Sequence, residues 1–271
     1  MKNLIYQYWD GDVKESVHAG VSNMKAYAER IGAEYIFEDN PKWILSKGMN
    51  FGYYSAHYGA FKFIFEKEYE EYDNILFCDT DVFAVDNLDV NIFKDFKHDI
   101  GICEEPFQPK QRLITTGQIT SKSDDKWARV VEEVYGGKMP RTEDNLIKVY
   151  NTGVVLYSKK GIEKARKYFN DFQAYVNLIQ KNKLHSFYTC DQPYLHTMLF
   201  SKPFDVCTMD NEWNSYIHGT KDIYQPKRRI VDHRTKDTKF VHCQFPGADD
   251  LTEEQLLKIV NLPREKWGYD I

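Results

Sequence analysis

The chain has no zinc or disulfide framework to read. Its five cysteines, Cys78, Cys103, Cys190, Cys207 and Cys243, are odd in number, scattered and never spaced C-x-x-C, which fits reduced thiols in a cytoplasmic protein. Long apolar runs are missing as well. No stretch approaches the ~18 residues that a bilayer crossing needs, and Met1 to Gln7 leads directly into a strand-like run rather than a leader. The expectation is a chain without a transmembrane segment, with peripheral membrane contact left open. Basic excess is also absent: 36 Lys and Arg stand against 41 Asp and Glu, a net charge of -5. That balance argues against nucleic acid as a partner, so any anion site must be local.

What is present fits one large α/β domain. Apolar residues make up 42% of the 271, and the aromatic share of 15% includes 19 Tyr and 17 Phe, enough to fill a core and line a cleft. Leu4 to Tyr8 reads as a strand. Val17, Val21, Met24, Ala28 and Ile31 then recur at helical spacing up to Gly32. Glu34 to Phe37 reads as a second strand, Ser55 to Glu71 as a helix, and Asn74 to Cys78 as a third strand. This β-α-β-α-β alternation predicts a mainly parallel sheet flanked by helices, with ligands gathered at the carboxyl ends of its strands.

Beyond Asp99 to Cys103, a short strand, the polar stretch from Glu104 to Lys148 predicts a long excursion over the cleft. Strands are expected at Val149 to Tyr157, Phe204 to Thr208 and Phe240 to Cys243. Helices are expected at Ile162 to Leu178, after Asp191, and at the tail, where Thr252-Glu253-Glu254-Gln255 fits a capping box. The basic residues between Lys221 and Lys239 read as a solvated loop.

The most informative segment is Asn74-Ile75-Leu76-Phe77-Cys78-Asp79-Thr80-Asp81, an apolar run ending in two carboxylates. Two close anions at a partly buried strand end repel unless a cation neutralises them. Hard divalent ions such as Mn²⁺ and Mg²⁺ prefer carboxylate oxygens and keep positions open for a diphosphate. The same two residues also fit a capped acidic turn.

Three further segments follow: Tyr150-Asn151-Thr152-Gly153-Val154, Cys190-Asp191-Gln192-Pro193, and Val241-His242-Cys243-Gln244-Phe245-Pro246-Gly247. In this order, over roughly Lys2 to Gly247, the four resemble a GT-A glycosyltransferase, most similar to the glycogenin and lipopolysaccharide galactosyltransferase group. The resemblance implies a Rossmann-like mixed sheet in a single domain. Residues 1–103 would form its nucleotide-sugar-binding half, 104–250 its acceptor-binding half and 251–271 a C-terminal helix. It implies a metal-dependent enzyme that transfers a sugar from a nucleotide-diphosphate-sugar, such as a UDP-sugar, to a glycan, glycolipid or glycoprotein, with retention of configuration.

By that resemblance Asp79, Asp81 and His242 would hold Mn²⁺ or Mg²⁺, and Asp191 and Gln192 would face the reacting sugar. Asn151 and Gly153 would lie beside donor and acceptor, Tyr8 would stack on the base, and Lys62 would approach the diphosphate. The sequence departs from the pattern after Gly247, where a lysine is expected and Ala248-Asp249-Asp250 stand instead. Lys47, Lys62 or Arg228 would then supply the missing base. Alternatives are an inverting GT-A transferase and a non-catalytic sugar binder on the same scaffold. A haloacid-dehalogenase-like phosphatase fits poorly, because Phe83 stands where its motif carries Thr or Val.

Overall fold

The computed structural model describes residues 1–43, 56–114, 119–169, 172–222 and 225–268. The chain begins β1 (Asn3–Trp9), α1 (Glu15–Ile31), β2 (Glu34–Asp39), α2 (Lys62–Phe65), β3 (Asn74–Cys78), β4 (Val82–Ala84) and β5 (Ile100–Glu104). It continues with α3 (Gln108–Ile114), α4 (Ser121–Tyr135), β6 (Tyr150–Ser158), α5 (Lys159–Tyr168), α6 (Phe172–Lys181) and α7 (Asp191–Ser201). Last come β7 (Val206–Met209), β8 (Ser215–Asp222), β9 (Gln225–Asp232), β10 (Phe240–Gln244) and α8 (Glu253–Asn261).

Among the described residues the larger sheet runs β2-β1-β3-β6-β5-β7. β1 pairs in parallel with β2 and β3, and β5 with β7, whereas β6 is antiparallel to both β3 and β5. The expected mainly parallel mixed sheet is therefore present, with β6 as its one reversed strand. Burial explains its sequence: β3 is buried at every position, and β6 at all but its last, so Ile75 to Cys78 and Gly153 to Tyr157 read as apolar runs instead of alternating ones. A smaller sheet, β4-β10-β8-β9, lies beyond the carboxyl end of β3. β10 pairs antiparallel with β4, placing His242 opposite Val82.

Local signals set the element ends. Gly32 terminates α1 at φ 71°, and its N–H reaches the Ala28 and Glu29 carbonyls, as the left-handed cap requires. At α8, Thr252 accepts from the Gln255 backbone while the Gln255 side chain accepts from the Thr252 N–H, completing the expected capping box.

Four expectations need correction. Residues 56–69 form a 3₁₀ segment, the short α2 and another 3₁₀ turn, not one long helix; Ser55 lies outside the described residues. Aromatic packing overrides helical spacing here, because Tyr58 stacks on Phe172 at 4.3 Å. The helix expected over Ile162 to Leu178 is two, α5 ending at Phe169 in extended backbone and α6 starting at Phe172. The excursion after Glu104 carries α3 and α4, tied together by the buried Arg112–Asp124 ion pair at 2.8 Å. The basic stretch read as a solvated loop contains β9, and Arg234 is folded in, bound to Asp232 and to the carbonyls of Ile259, Val260 and Leu262.

Candidate metal and sugar-nucleotide site

The acidic loop leaves β3 where the larger sheet meets the smaller one. Asp79 N–H donates to the Gly153 carbonyl on β6 at 2.9 Å, and Cys243 N–H of β10 donates to the Asp81 carbonyl at 2.9 Å. Gln7, fully buried at the end of β1, donates from Nε2 to the Asp79 carbonyl at 2.8 Å and accepts from Tyr35 Oη at 2.7 Å. α1 presses on the loop from outside, and Gly20 makes this approach possible: a Cβ there would lie 1.8 Å from the Thr80 carbonyl oxygen. The loop is held by the backbone of β6 and β10, by the Gln7 side chain and by close packing of α1 at Gly20.

Three ligand atoms converge as a result. Those of Asp79, Asp81 and His242 all lie within 4.8 Å of one another. His242 is fully buried, whereas the two aspartate side chains keep 40% and 43% of their surface open. His242 Nε2 lies 3.0 Å from Asp81 Oδ1 and 3.9 Å from Asp79 Oδ2. These are ion-pair distances, and Nε2 has no aligned hydrogen-bond partner. Gly153 provides the room: a Cβ there would sit 2.3 Å from His242 Cε1 and 2.9 Å from Asp79 Oδ2.

The electrostatics fit a cation. Partial burial at the strand end, and then the charge of Asp81, push the Asp79 carboxyl up to about 7 against the pull of His242. Burial by itself would lower His242, but the charges of Asp81 and Asp79 outweigh it and hold the imidazole above its usual range. Proximity of the two acids thus raises one of them and makes a proton on His242 a partial stand-in for a stronger charge. Two carboxylates and an imidazole nitrogen suit a borderline-hard divalent ion such as Mn²⁺. The chemistry of the donor set and the orphaned Nε2 therefore fit the expected metal.

A cleft of about 330 Å³ opens beside these ligands, lined among others by Tyr8, Trp9, His57, Asp79, Asp81 and Asp249. Tyr8 is fixed by its hydroxyl, which donates to the Ala56 carbonyl at 2.7 Å, and by stacking on Phe77 at 5.9 Å. Asp191, the first residue of α7 behind the cap Cys190, accepts from Thr152 Oγ1 at 2.5 Å and lies 3.8 Å from His57 Nδ1. Burial holds its carboxyl above the usual range, with the Thr152 bond and the His57 charge opposing.

Other expected residues lie elsewhere. Lys62 is gripped by both Glu38 oxygens, at 2.7 and 2.8 Å, and is not among the cleft's lining residues. Gln192 borders a separate small crevice with Arg112, Asp124 and His196. Asn151 is buried, and its amide is bound to Glu105, Gly153 and Asn214. Lys47 lies outside the described residues, as does the side chain of Arg228. Among the described residues lining the cleft there is no lysine or arginine, while Asp10, Asp79, Asp81 and Asp249 are all there.

Several supporting residues were not singled out from the sequence. Gln7 is one polar residue within an apolar strand, Gly20 one small residue within a helix, and Asn214 sits in a 3₁₀ turn. Only the polarity of Gln7 inside a buried run marked a position with a partner.

No protein-family model matches the chain, and no curated protein matches it in sequence. In three dimensions it is similar to the galactosyltransferase LgtC, crystallised with donor and acceptor sugar analogues. The TM-score is 0.50 at 16% identity, covering 97% of this chain and 98% of LgtC. The crystal structure of an active-site mutant of LgtC matches with a TM-score of 0.50 at 14% identity, over 97% of this chain and 98% of that one. The architecture of this chain is the GT-A fold of the glycosyltransferases.

Proposed function

We propose that the protein is a metal-dependent glycosyltransferase that moves a sugar from a nucleotide-diphosphate-sugar to a glycan, glycolipid or glycoprotein acceptor. One observation carries this reading: Asp79, Asp81 and His242 converge within 4.8 Å at the carboxyl end of β3, against an open cleft. A GT-A fold alone does not require a charged triad there.

Asp79, Asp81 and Nε2 of His242 would hold Mn²⁺ or Mg²⁺. Bound there, the ion would neutralise the charge that develops on a departing nucleoside diphosphate. The lack of a described lysine or arginine along the cleft, where four aspartates stand, makes that neutralisation more important than in a site with a basic residue. Tyr8, its ring pinned from behind by Phe77, offers a flat face for a base such as uracil. Gly153 leaves the space in which His242 and Asp79 can approach one another.

Asp191 is the residue we assign to the reacting sugar. Thr152 and His57 orient its two oxygens, so one carboxylate edge can bind sugar hydroxyls and stabilise positive charge at the anomeric carbon. Gln192 follows it on the first turn of α7 but borders a separate crevice, so the assignment to the reacting sugar rests on Asp191 alone. Retention of configuration is part of this proposal. All five cysteines are free, which supports a reducing, cytoplasmic setting. No helix among the described residues is long and apolar enough to cross a membrane.

The test is release of nucleoside diphosphate from a donor panel with and without Mn²⁺. Mn²⁺-dependent release, lost in Asp79→Ala and Asp81→Ala, is the expected result. Unchanged release in either variant overturns the metal assignment. Donor binding without turnover, on an acceptor panel that includes water, overturns the assignment as an enzyme.

A further inference from the structure

We infer that Glu105, Asn151 and Asn214 form a positioning relay that fixes a hydrogen on Nδ1 of His242, so that Nε2 is the nitrogen left to give up its proton to a cation. The inference rests on the cation-site reading above, because its consequence is to turn Nε2 toward Asp79 and Asp81.

The polarity can be followed from atoms that have no choice. The Gly153 backbone N–H can only donate, and it donates to Asn151 Oδ1 at 2.7 Å. The Asn151 amide nitrogen must therefore point the other way, where Glu105 Oε1 accepts from it at 2.8 Å. A carboxylate oxygen suits only that orientation. Asn151 Oδ1 also accepts from Asn214 Nδ2 at 3.0 Å, and the second Nδ2 hydrogen goes to Tyr216 Oη at 2.8 Å. With its amide hydrogens committed, Asn214 turns Oδ1 to His242 Nδ1, 3.0 Å away. A carbonyl oxygen cannot donate, so Nδ1 carries the hydrogen.

Flipping Asn151 would set donor against donor at Gly153 and acceptor against acceptor at Glu105, and flipping Asn214 would set acceptor against acceptor at Asn151, in a place where unmade bonds are costly. Glu105, Asn151, Asn214 and His242 are exposed by 4%, 3%, 0% and 0%, so water is not there to repair a mismatch. Tyr216 lies against the imidazole at 5.5 Å, with 29° between the rings, and blocks its rotation. Outer partners of this kind orient a ligating imidazole and set its tautomer. Here the orientation is set three hydrogen bonds away from the imidazole, at the Gly153 N–H and a buried acid that nothing in the transfer chemistry uses.

The test reads the imidazole in metal-free protein by ¹H–¹⁵N NMR of histidine-labelled chain. The expected wild-type result is a protected, slowly exchanging proton on His242 Nδ1. Glu105→Gln keeps an acceptor oxygen against Asn151 and should retain it. Glu105→Ala and Asn214→Ala should lose the signal or exchange it at least tenfold faster, and Mn²⁺ affinity in Asn214→Ala should fall roughly tenfold or more. A wild-type proton confined to Nε2, or an Nδ1 proton whose exchange is unchanged in both alanine variants, overturns the relay. Wild-type protein with the protected Nδ1 proton but no Mn²⁺ binding upholds the relay and overturns the cation reading. If an alanine variant fails to fold, the wild-type and Glu105→Gln spectra decide the question.

Discussion

Gly153 lies directly beneath His242: a methyl group on its Cα would fall 2.3 Å from the imidazole Cε1. The neighbour is a rigid, fully buried ring, so it has nowhere to go.

Gly153→Ala should therefore displace His242 from Asp79 and Asp81. The expected cost is about 1–3 kcal/mol of stability, typical of overpacking a closed site, with at least a tenfold loss of Mn²⁺ affinity. Thermal denaturation and calorimetric titration measure the two. Wild-type affinity in a folded variant would show that the ring is not held where the structure has it.

Gly20 acts from the opposite side. A Cβ at 1.8 Å from the Thr80 carbonyl meets backbone, so Gly20→Ala must push α1 away from the acidic loop. A loss of about 1–3 kcal/mol and weaker Mn²⁺ binding are expected, although Gly20 touches no ligand. Hydrogen exchange at Thr80 and Asp81 should rise in parallel.

Asp79 gives stability a pH dependence of known sign. Its carboxyl is raised to about 7, so between pH ~4 and ~7 the folded chain holds more protons than the unfolded one. Metal-free stability contributed by this group is present below that window and lost as pH rises through it. Asp79→Asn should lack this slope, so its Tm should gain on wild type most clearly above pH ~7. Added Mn²⁺ should raise the wild-type Tm at pH 8 and leave that of Asp79→Asn unmoved. Equal slopes in both proteins would remove the strain assigned to this pair.

Asp191→Asn keeps the size of the side chain and an oxygen for Thr152 while deleting the charge. Turnover should fall by about 100-fold or more, with little change in donor affinity, as expected for an interaction made mainly in the transition state. A drop in affinity with unaltered turnover would leave Asp191 holding ground-state substrate only.

The sheet was legible because burial on both faces leaves strands as plain apolar runs. Asn74 to Cys78 and Val149 to Tyr157 could be read for that reason, as could α1 from its helical spacing and Gly32. The acid pair was legible because two charges at the end of such a run need an explanation. Linking Asp79 and Asp81 to His242 needed the order of four motifs, since no local signal joins residues that meet only through the pairing of β10 with β4.

What escaped reading has physical causes. The 3₁₀ segments at 56–69 follow aromatic contacts with α6, which one-dimensional spacing does not encode. β8 and β9 carry polar and basic residues because they form part of a smaller sheet whose outer strand is an edge. Lys62 looked available for phosphate because Glu38, its partner, sits on a strand read only as far as Phe37. Asn214 and Glu105 gave no sign because a polar side chain acting through another polar side chain leaves no pattern of spacing.

The bond from Cys243 N–H to the Asp81 carbonyl joins an early loop to a late strand. During synthesis, therefore, both acids leave the ribosome long before the histidine that completes their grip. On the proposed metal reading, ion capture would be a late event in maturation, because a polypeptide halted before β10 would have both carboxylates but not the third ligand.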